Sequence, residues 1–220
     1  MKTKKGIIFD MDGLIFDTEQ LYYQATQEVA DAMGFNYDFS IYEKYIGVSD
    51  EELWEAYHEF YDEIHGRETV VTFIDRAFDR GIELFEAGLA ELKPGVLELL
   101  DYLDQNKIPR VIASSNQRQI IDILLEKKHI AKRFDQVISF EDVSRAKPDP
   151  EIFEKAHQFL ALPKEDLLIL EDSKNGVLAA HSAGIDVIMI PDLLAPTPEL
   201  KAKSLTILNS LLEVPNFLEK

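Results

Sequence analysis

Asp10 and Asp12 close an apolar run in GIIFDMDGLIFDT and place two like charges on one side of a strand end. Reactive side chains follow further apolar runs of the same kind. RVIAS ends in Ser114-Ser115-Asn116, the loop EDVSRAKPDP carries Lys147, and LLILE ends in Glu171-Asp172. Singly, each residue has a plain structural use. Asp and Ser cap helices, and a lysine before Pro-Asp-Pro suits a solvated loop. Jointly these uses fit poorly, because carboxylates converging on one sheet edge repel and require a cation. Oxygen donors without His or Cys favour Mg²⁺. A lysine and hydroxyls beside such a cation suit a phosphate, and the sum is a phosphoryl-transfer site.

Within that site, Asp10 stands where a nucleophile must, held by a buried strand and aimed at the crevice. A carboxylate can accept a phosphoryl group as an aspartyl-phosphate. Asp12 is placed to act as general acid and then base, with its backbone carbonyl free to reach the metal. Gly13 lets the backbone turn closely past a substrate phosphate. Mg²⁺ between nucleophile and phosphate would compensate the paired charges.

The elements that must hold these residues follow from periodicity. From Asp17 to about Ala90 the chain reads as helical, with helices expected from Asp17/Thr18 to Gly34, from a capping box Ser49-x-x-Glu52 to Gly66, and over Glu68 to Ala87. Trp54, Tyr57, Phe60, Tyr61 and Ile64 recur at helical steps and are expected to line a bundle core rather than a cofactor site. From Leu92 onward strands alternate with helices: RVIAS, QVISF, LLILE and DVIMI, separated by helices near 94–105, 120–128, 152–160 and 175–183. Such alternation implies βαβ units and a parallel sheet. The expectation is an α/β, Rossmann-like parallel sheet core (residues 1–16 and 91–220) with an inserted small α-helical cap domain (17–90). In such sheets ligands bind beyond the carboxyl ends of the strands.

Composition narrows the partners. The chain has 220 residues, of which 46% are hydrophobic, enough for a sizeable core. Its 41 acidic against 23 basic residues leave a formal charge of −18, which disfavours nucleic acid and anionic membrane surfaces. No cysteine is present, which excludes disulfides, thiolate metal sites and cysteine nucleophiles. The basic start MKTKKG leads into an apolar run too short for a signal peptide, so a cytoplasmic protein is expected. A monomer acting on a small phosphorylated metabolite is the matching expectation for partners.

Asp10-Met11-Asp12-Gly13, Ser114, Lys147 with KPDP, and Glu171-Asp172-Ser173 occur in that order, and on them the chain resembles the haloacid dehalogenase-like hydrolase superfamily. The resemblance spans nearly the whole chain, and within the superfamily it is greatest to the β-phosphoglucomutase-like phosphatases with a helical cap. It implies Asp10 as nucleophile, Asp12 as acid/base, Ser114 as a phosphate hydrogen-bond donor and Lys147 as the neutralising cation. It implies Mg²⁺ on Asp10, the Asp12 carbonyl and Asp172, with Glu171 contributing directly or through water. Ser115, Asn116, Gly13 and Gly47 in the loop YIGVSD are the expected substrate contacts.

The family's mutases carry a basic residue after GVS and a histidine soon after DT; here Asp50 and Tyr22 stand in those places. Residues 17–90 hold 18 acidic and 4 basic residues, which gives no sign of a second phosphate site. The sequence therefore points to a Mg²⁺-dependent phosphatase of a sugar phosphate or nucleoside monophosphate, ahead of a phosphosugar mutase. A non-catalytic binding protein on the same fold conflicts with the intact motif set. The crossings at Phe16–Thr18 and Ala87–Leu92 are expected to serve as hinges for a moving cap.

Overall fold

The computed structural model describes residues 4–46, 48 and 50–219. Strand β1 (Gly6–Phe9) and the two-residue β2 (Phe16–Asp17) precede a helical block of α1 (Glu19–Met33), α2 (Phe39–Tyr42), α3 (Asp50–His65) and α4 (Arg67–Glu86). The chain then continues through β3 (Glu91–Leu92), α5 (Val96–Asn106), β4 (Arg110–Ala113), α6 (Arg118–Lys127), β5 (Gln136–Ile138) and α7 (Glu151–Leu160). It ends with β6 (Leu167–Glu171), α8 (Lys174–Ala183), β7 (Asp186–Met189), α9 (Pro198–Lys203), β8 (Thr206–Ile207) and α10 (Val214–Leu218). Two compact units result: Met1–Asp17 with Glu91–Lys220, and Thr18–Ala90.

The first unit is built on a six-stranded sheet in the order β5-β4-β1-β6-β7-β8, with every neighbouring pair parallel. This is the doubly wound order of Rossmann-type folds, and its switch point lies between β1 and β6. β1 and β6 are buried along their whole length, which is why both read as unbroken apolar runs instead of alternating ones. The helices between strands bury their apolar stripes on the sheet: Ile152, Phe153 and Ala156 of α7 and Val177, Ala180 and Ala183 of α8 pack with Ile8, Val111 and Ile169.

β2 and β3 were not foreseen. They pair antiparallel, Phe16 with Leu92 and Asp17 with Glu91, so the two crossings are hydrogen-bonded to each other. Each is two residues long, too short for a periodic signal.

The helical unit holds an aromatic core in which Phe35, Tyr37, Tyr42, Tyr57, Tyr61 and Phe73 are buried. Phe35 stacks on Phe73 at 4.4 Å between centroids, and Tyr57 and Tyr61 both close on Phe73. The expected stripe on α3 is only partly core: Phe60 is 43% and Ile64 72% exposed. Tyr57 and Tyr61 close on Phe73, whereas Phe60 meets Tyr45 and Tyr61 at the edge of the cluster and Ile64 lies in the last turn of the helix. Tyr22 packs edge-to-face on Phe85 within this unit. α1 begins just after Thr18 and Gly34 ends it, as expected. The start of α3 falls at Asp50; the capping residue Ser49 lies outside the described residues. No helix among the described residues is long and apolar enough to cross a membrane.

Candidate active site

Asp10 is the first residue beyond β1, and its backbone N–H donates to Leu170 O of β6 at 3.0 Å, which ties it to the switch point. Its carboxylate is buried and meets Lys147: Nζ donates to Asp10 Oδ1 at 2.6 Å and to Glu171 Oε1 at 2.8 Å. Lys147 reaches this point from the loop before α7, with its ammonium 4.8 Å above the Phe153 ring. Glu171, the last residue of β6, is fully buried. Its second oxygen, Oε2, accepts from Ser173 N at 2.7 Å and Ser173 Oγ at 2.9 Å. Both Glu171 oxygens are thus engaged, one by a cation and one at the cap of α8.

Asp172 follows immediately. Carboxylate oxygens of Asp10, Glu171 and Asp172 all lie within 4.8 Å of one another, a spacing that can hold one metal ion. The electrostatics match. Burial pushes the Asp10 carboxyl up to about 7, against the pull of Lys147 and with a further push from Glu171. Burial and the Glu171 and Asp10 carboxylates hold Asp172 well above the usual carboxylate range. Burial alone would lower the Lys147 ammonium, but the Asp10 and Glu171 carboxylates outweigh it and hold it above its ordinary range. One lysine therefore faces more negative charge than it can neutralise, and the surplus is what a divalent cation would balance.

Asp12 faces the other way. Its Oδ2 lies 3.4 Å from Ser114 Oγ and 3.2 Å from Asn116 Nδ2. Ser114, just beyond β4, is fully buried, and its Oγ accepts from Asn116 N at 3.0 Å. The turn that carries Asp12 is tight: Met11 O accepts from the N–H groups of Leu14, Ile15 and Phe16. Gly13 makes it possible. It has φ +76°, and a Cβ there would fall 2.4 Å from Asp172 Oδ2.

The structure thus gathers Asp10, Lys147, Glu171 and Asp172 into one cluster, with Asp12, Ser114 and Asn116 in a second and Gly13 against Asp172. Ser115 is exposed at the same strand end. Gly47 lies outside the described residues. Two residues escaped the sequence reading as parts of this site: Gly176 and Asp192. Gly176 has no room for a side chain, since a Cβ would fall 1.6 Å from Glu171 Oε1. A glycine inside a helical pattern is the signal that could have found it. Asp192 follows β7, and the rule that strand ends carry the chemistry extends to that strand as well.

The haloacid dehalogenase-like hydrolase family matches residues 7–190. The chain belongs to this family. It is 33% identical over 189 residues to the phosphorylated carbohydrates phosphatase of Thermotoga maritima, covering 84% of this chain and 83% of that protein. It is 34% identical over 191 residues to a Drosophila melanogaster protein provisionally named a pseudouridine-5'-phosphatase, covering 84% and 80%. Among solved structures, a Thermotoga maritima protein provisionally named a beta-phosphoglucomutase superposes with a TM-score of 0.82, at 29% identity and 98% coverage of each chain. As a family member the chain is a hydrolase.

Proposed function

We propose that this hydrolase is a Mg²⁺-dependent phosphatase of a small phosphomonoester, a sugar phosphate or nucleoside monophosphate, acting through an aspartyl-phosphate. The observation that carries the reading is Lys147 held between Asp10 and Glu171, with Asp172 beside them. Asp10 and Asp172, with the Asp12 carbonyl and Glu171 directly or through water, would hold the cation. When bound, Mg²⁺ supplies positive charge for the phosphoryl oxygens and the carboxylates.

The protein residues divide the remaining work. An Asp10 oxygen attacks phosphorus as the bond to the ester oxygen breaks, and Asp12 donates its proton to the departing alkoxide. Water then attacks the phosphorus of the acyl phosphate, Asp12 takes a proton from that water, and Asp10 is released with inorganic phosphate. Lys147 neutralises Asp10 and the transferring group. Ser114 Oγ and Asn116 Nδ2 offer donors on the Asp12 side, at distances long enough to be exchanged for phosphate oxygens. Residues 18–90 are read as the cap that selects the substrate. This is supported by their being one contiguous insertion that leaves and rejoins the core through the paired β2 and β3.

The test is phosphate release from a panel of sugar phosphates and nucleoside monophosphates, with Mg²⁺ and with EDTA. Release that depends on Mg²⁺ is expected. Undiminished release in EDTA overturns the metal assignment, and no release from any member overturns the phosphatase reading. A mutase reading draws on the name of the Thermotoga structure, and it is checked by incubation with β-glucose 1-phosphate and a trace of the 1,6-bisphosphate. Little glucose 6-phosphate should form. Rapid conversion without inorganic phosphate would favour the mutase.

A further inference from the structure

Asp192 lies beyond β7, on the side of β6 away from Asp10. Its Oδ1 accepts from Lys93 Nζ at 2.5 Å, and its side chain is only 7% exposed. The other oxygen, Oδ2, is buried and has no hydrogen-bond partner among the described residues. A buried carboxylate oxygen without a donor is costly, so its persistence needs a reason. Its surroundings supply one. Asp192 Oδ2 lies 3.2 Å, and Asp172 Oδ2 2.4 Å, from the point where a Gly13 Cβ would stand. Two carboxylate oxygens on different strand ends therefore face one gap, kept open by the absence of that side chain.

Lys93 takes the other oxygen of Asp192. It stands just after β3, its backbone N–H donates to Ile15 O at 2.9 Å, and its ammonium also approaches Asp17 at 3.9 Å. Lys93 spends its charge on Oδ1 and leaves Oδ2 as an acceptor turned to the acidic edge. A structural ion pair alone would not require the second oxygen to lie buried, without a protein donor, beside another carboxylate.

We propose that Asp192 is a positioning residue for the metal, its Oδ2 accepting a hydrogen bond from a water of the hydrated divalent cation held at Asp10 and Asp172. The inference rests on the metal reading above. Such outer acceptors orient the bound ion's hydration shell, and their loss costs roughly 10–100-fold in metal affinity. Asp192 touches neither substrate nor reacting atoms, so its effect runs through the ion.

The experiment is Mn²⁺ binding to the metal-free chain without substrate, read by electron paramagnetic resonance, with melting in EDTA as the fold control. Asp192→Asn must keep its amide oxygen toward Lys93, so its NH₂ turns into the gap and replaces an acceptor with a donor. Its dissociation constant is expected to rise about 10–100-fold over the parent. Lys93→Met removes the ion pair but keeps the acceptor, and should bind within about threefold of the parent on the same reasoning. Parent-like binding by Asp192→Asn overturns the proposal. An equal loss in both variants also overturns it, because the ion pair alone would then account for the effect. Should Asp192→Asn melt early in EDTA, Asp192→Ser, which leaves room for water, is judged by the same criteria. A parent chain that binds no Mn²⁺ would overturn the metal reading itself, which sets that failure apart from the failure of Asp192.

Discussion

Gly176 and Glu171 are in contact so close that a single methyl group on the glycine would overlap the carboxylate: a Cβ would fall 1.6 Å from Oε1 and 2.4 Å from Oε2. The first turn of α8 thereby presses the Glu171 carboxylate toward Lys147, while Ser173 grips its other oxygen. Gly176→Ala must displace either the helix or the carboxylate. Overpacking of this kind costs about 3 kcal/mol, which lowers the melting temperature by about 6–12 °C in a chain of this size. Turnover should fall with it, because Lys147 loses its fixed position. A parent-like melting curve would show that Glu171 can move freely.

Lys147→Met tests the cation itself. The lysine, Asp10 and Glu171 side chains are all nine-tenths buried or more. Removing one partner from such a cluster leaves buried carboxylates uncompensated, at a cost of about 3–5 kcal/mol. Thermal melts in EDTA at pH 8 should drop on the order of 10 °C. The loss should shrink toward pH 5, where Asp10 keeps its proton, because its carboxyl titrates at about 7. A loss independent of pH would place the cause in packing rather than charge.

Asp10→Asn and Asp12→Asn separate nucleophile from acid/base. The amide at position 10 cannot attack phosphorus, so turnover should vanish while circular dichroism is unchanged. Asp12→Asn keeps the nucleophile but loses proton transfer, which costs roughly 10²–10⁴-fold in kcat. Quenched samples of this variant should still carry acid-stable phosphate on the chain. Near-normal turnover by Asp10→Asn would remove it from the mechanism.

Asp172→Asn should stabilise the metal-free protein. Burial and the Glu171 and Asp10 carboxylates raise the Asp172 carboxyl, so the folded chain holds its proton to higher pH than the unfolded one. That contribution is complete below the ordinary 3.8 and is lost as pH climbs through the raised folded value. In EDTA at pH 8 the variant should melt above the parent by about 2–4 °C for each kcal/mol of repulsion removed, with the gap closing toward pH 4. Saturating Mg²⁺ should reverse the order, since only the parent gains from binding. A variant that melts below the parent in EDTA at pH 8 would show that the Asp172 carboxylate is not held against repulsion.

The division of labour between chain and fold can be read from these residues. Unbroken apolar runs at 7–9, 111–113 and 167–170 are local signals, and each ends in its polar residues without help from the rest of the chain. For that reason the parallel sheet, the helical insertion and the candidate positions Asp10, Asp12, Ser114, Lys147, Glu171 and Asp172 were legible in the sequence alone. What faces what was not. Asp12 turns to Ser114 and Asn116 rather than to the carboxylate cluster because Met11 O closes a tight turn behind Gly13. The crossings pair as β2 and β3 across more than seventy residues. Phe60 and Ile64 share the helical spacing of Tyr57 and Tyr61 but stay exposed. Lys93, just after β3 of the two-stranded sheet, meets Asp192, beyond β7 of the six-stranded one, a pairing that no local pattern announces. Periodicity and strand ends are short-range properties written along the chain. Partners separated by a hundred residues are chosen by the packing of strands and helices, which decides where each side chain can be buried and which charge it must meet there.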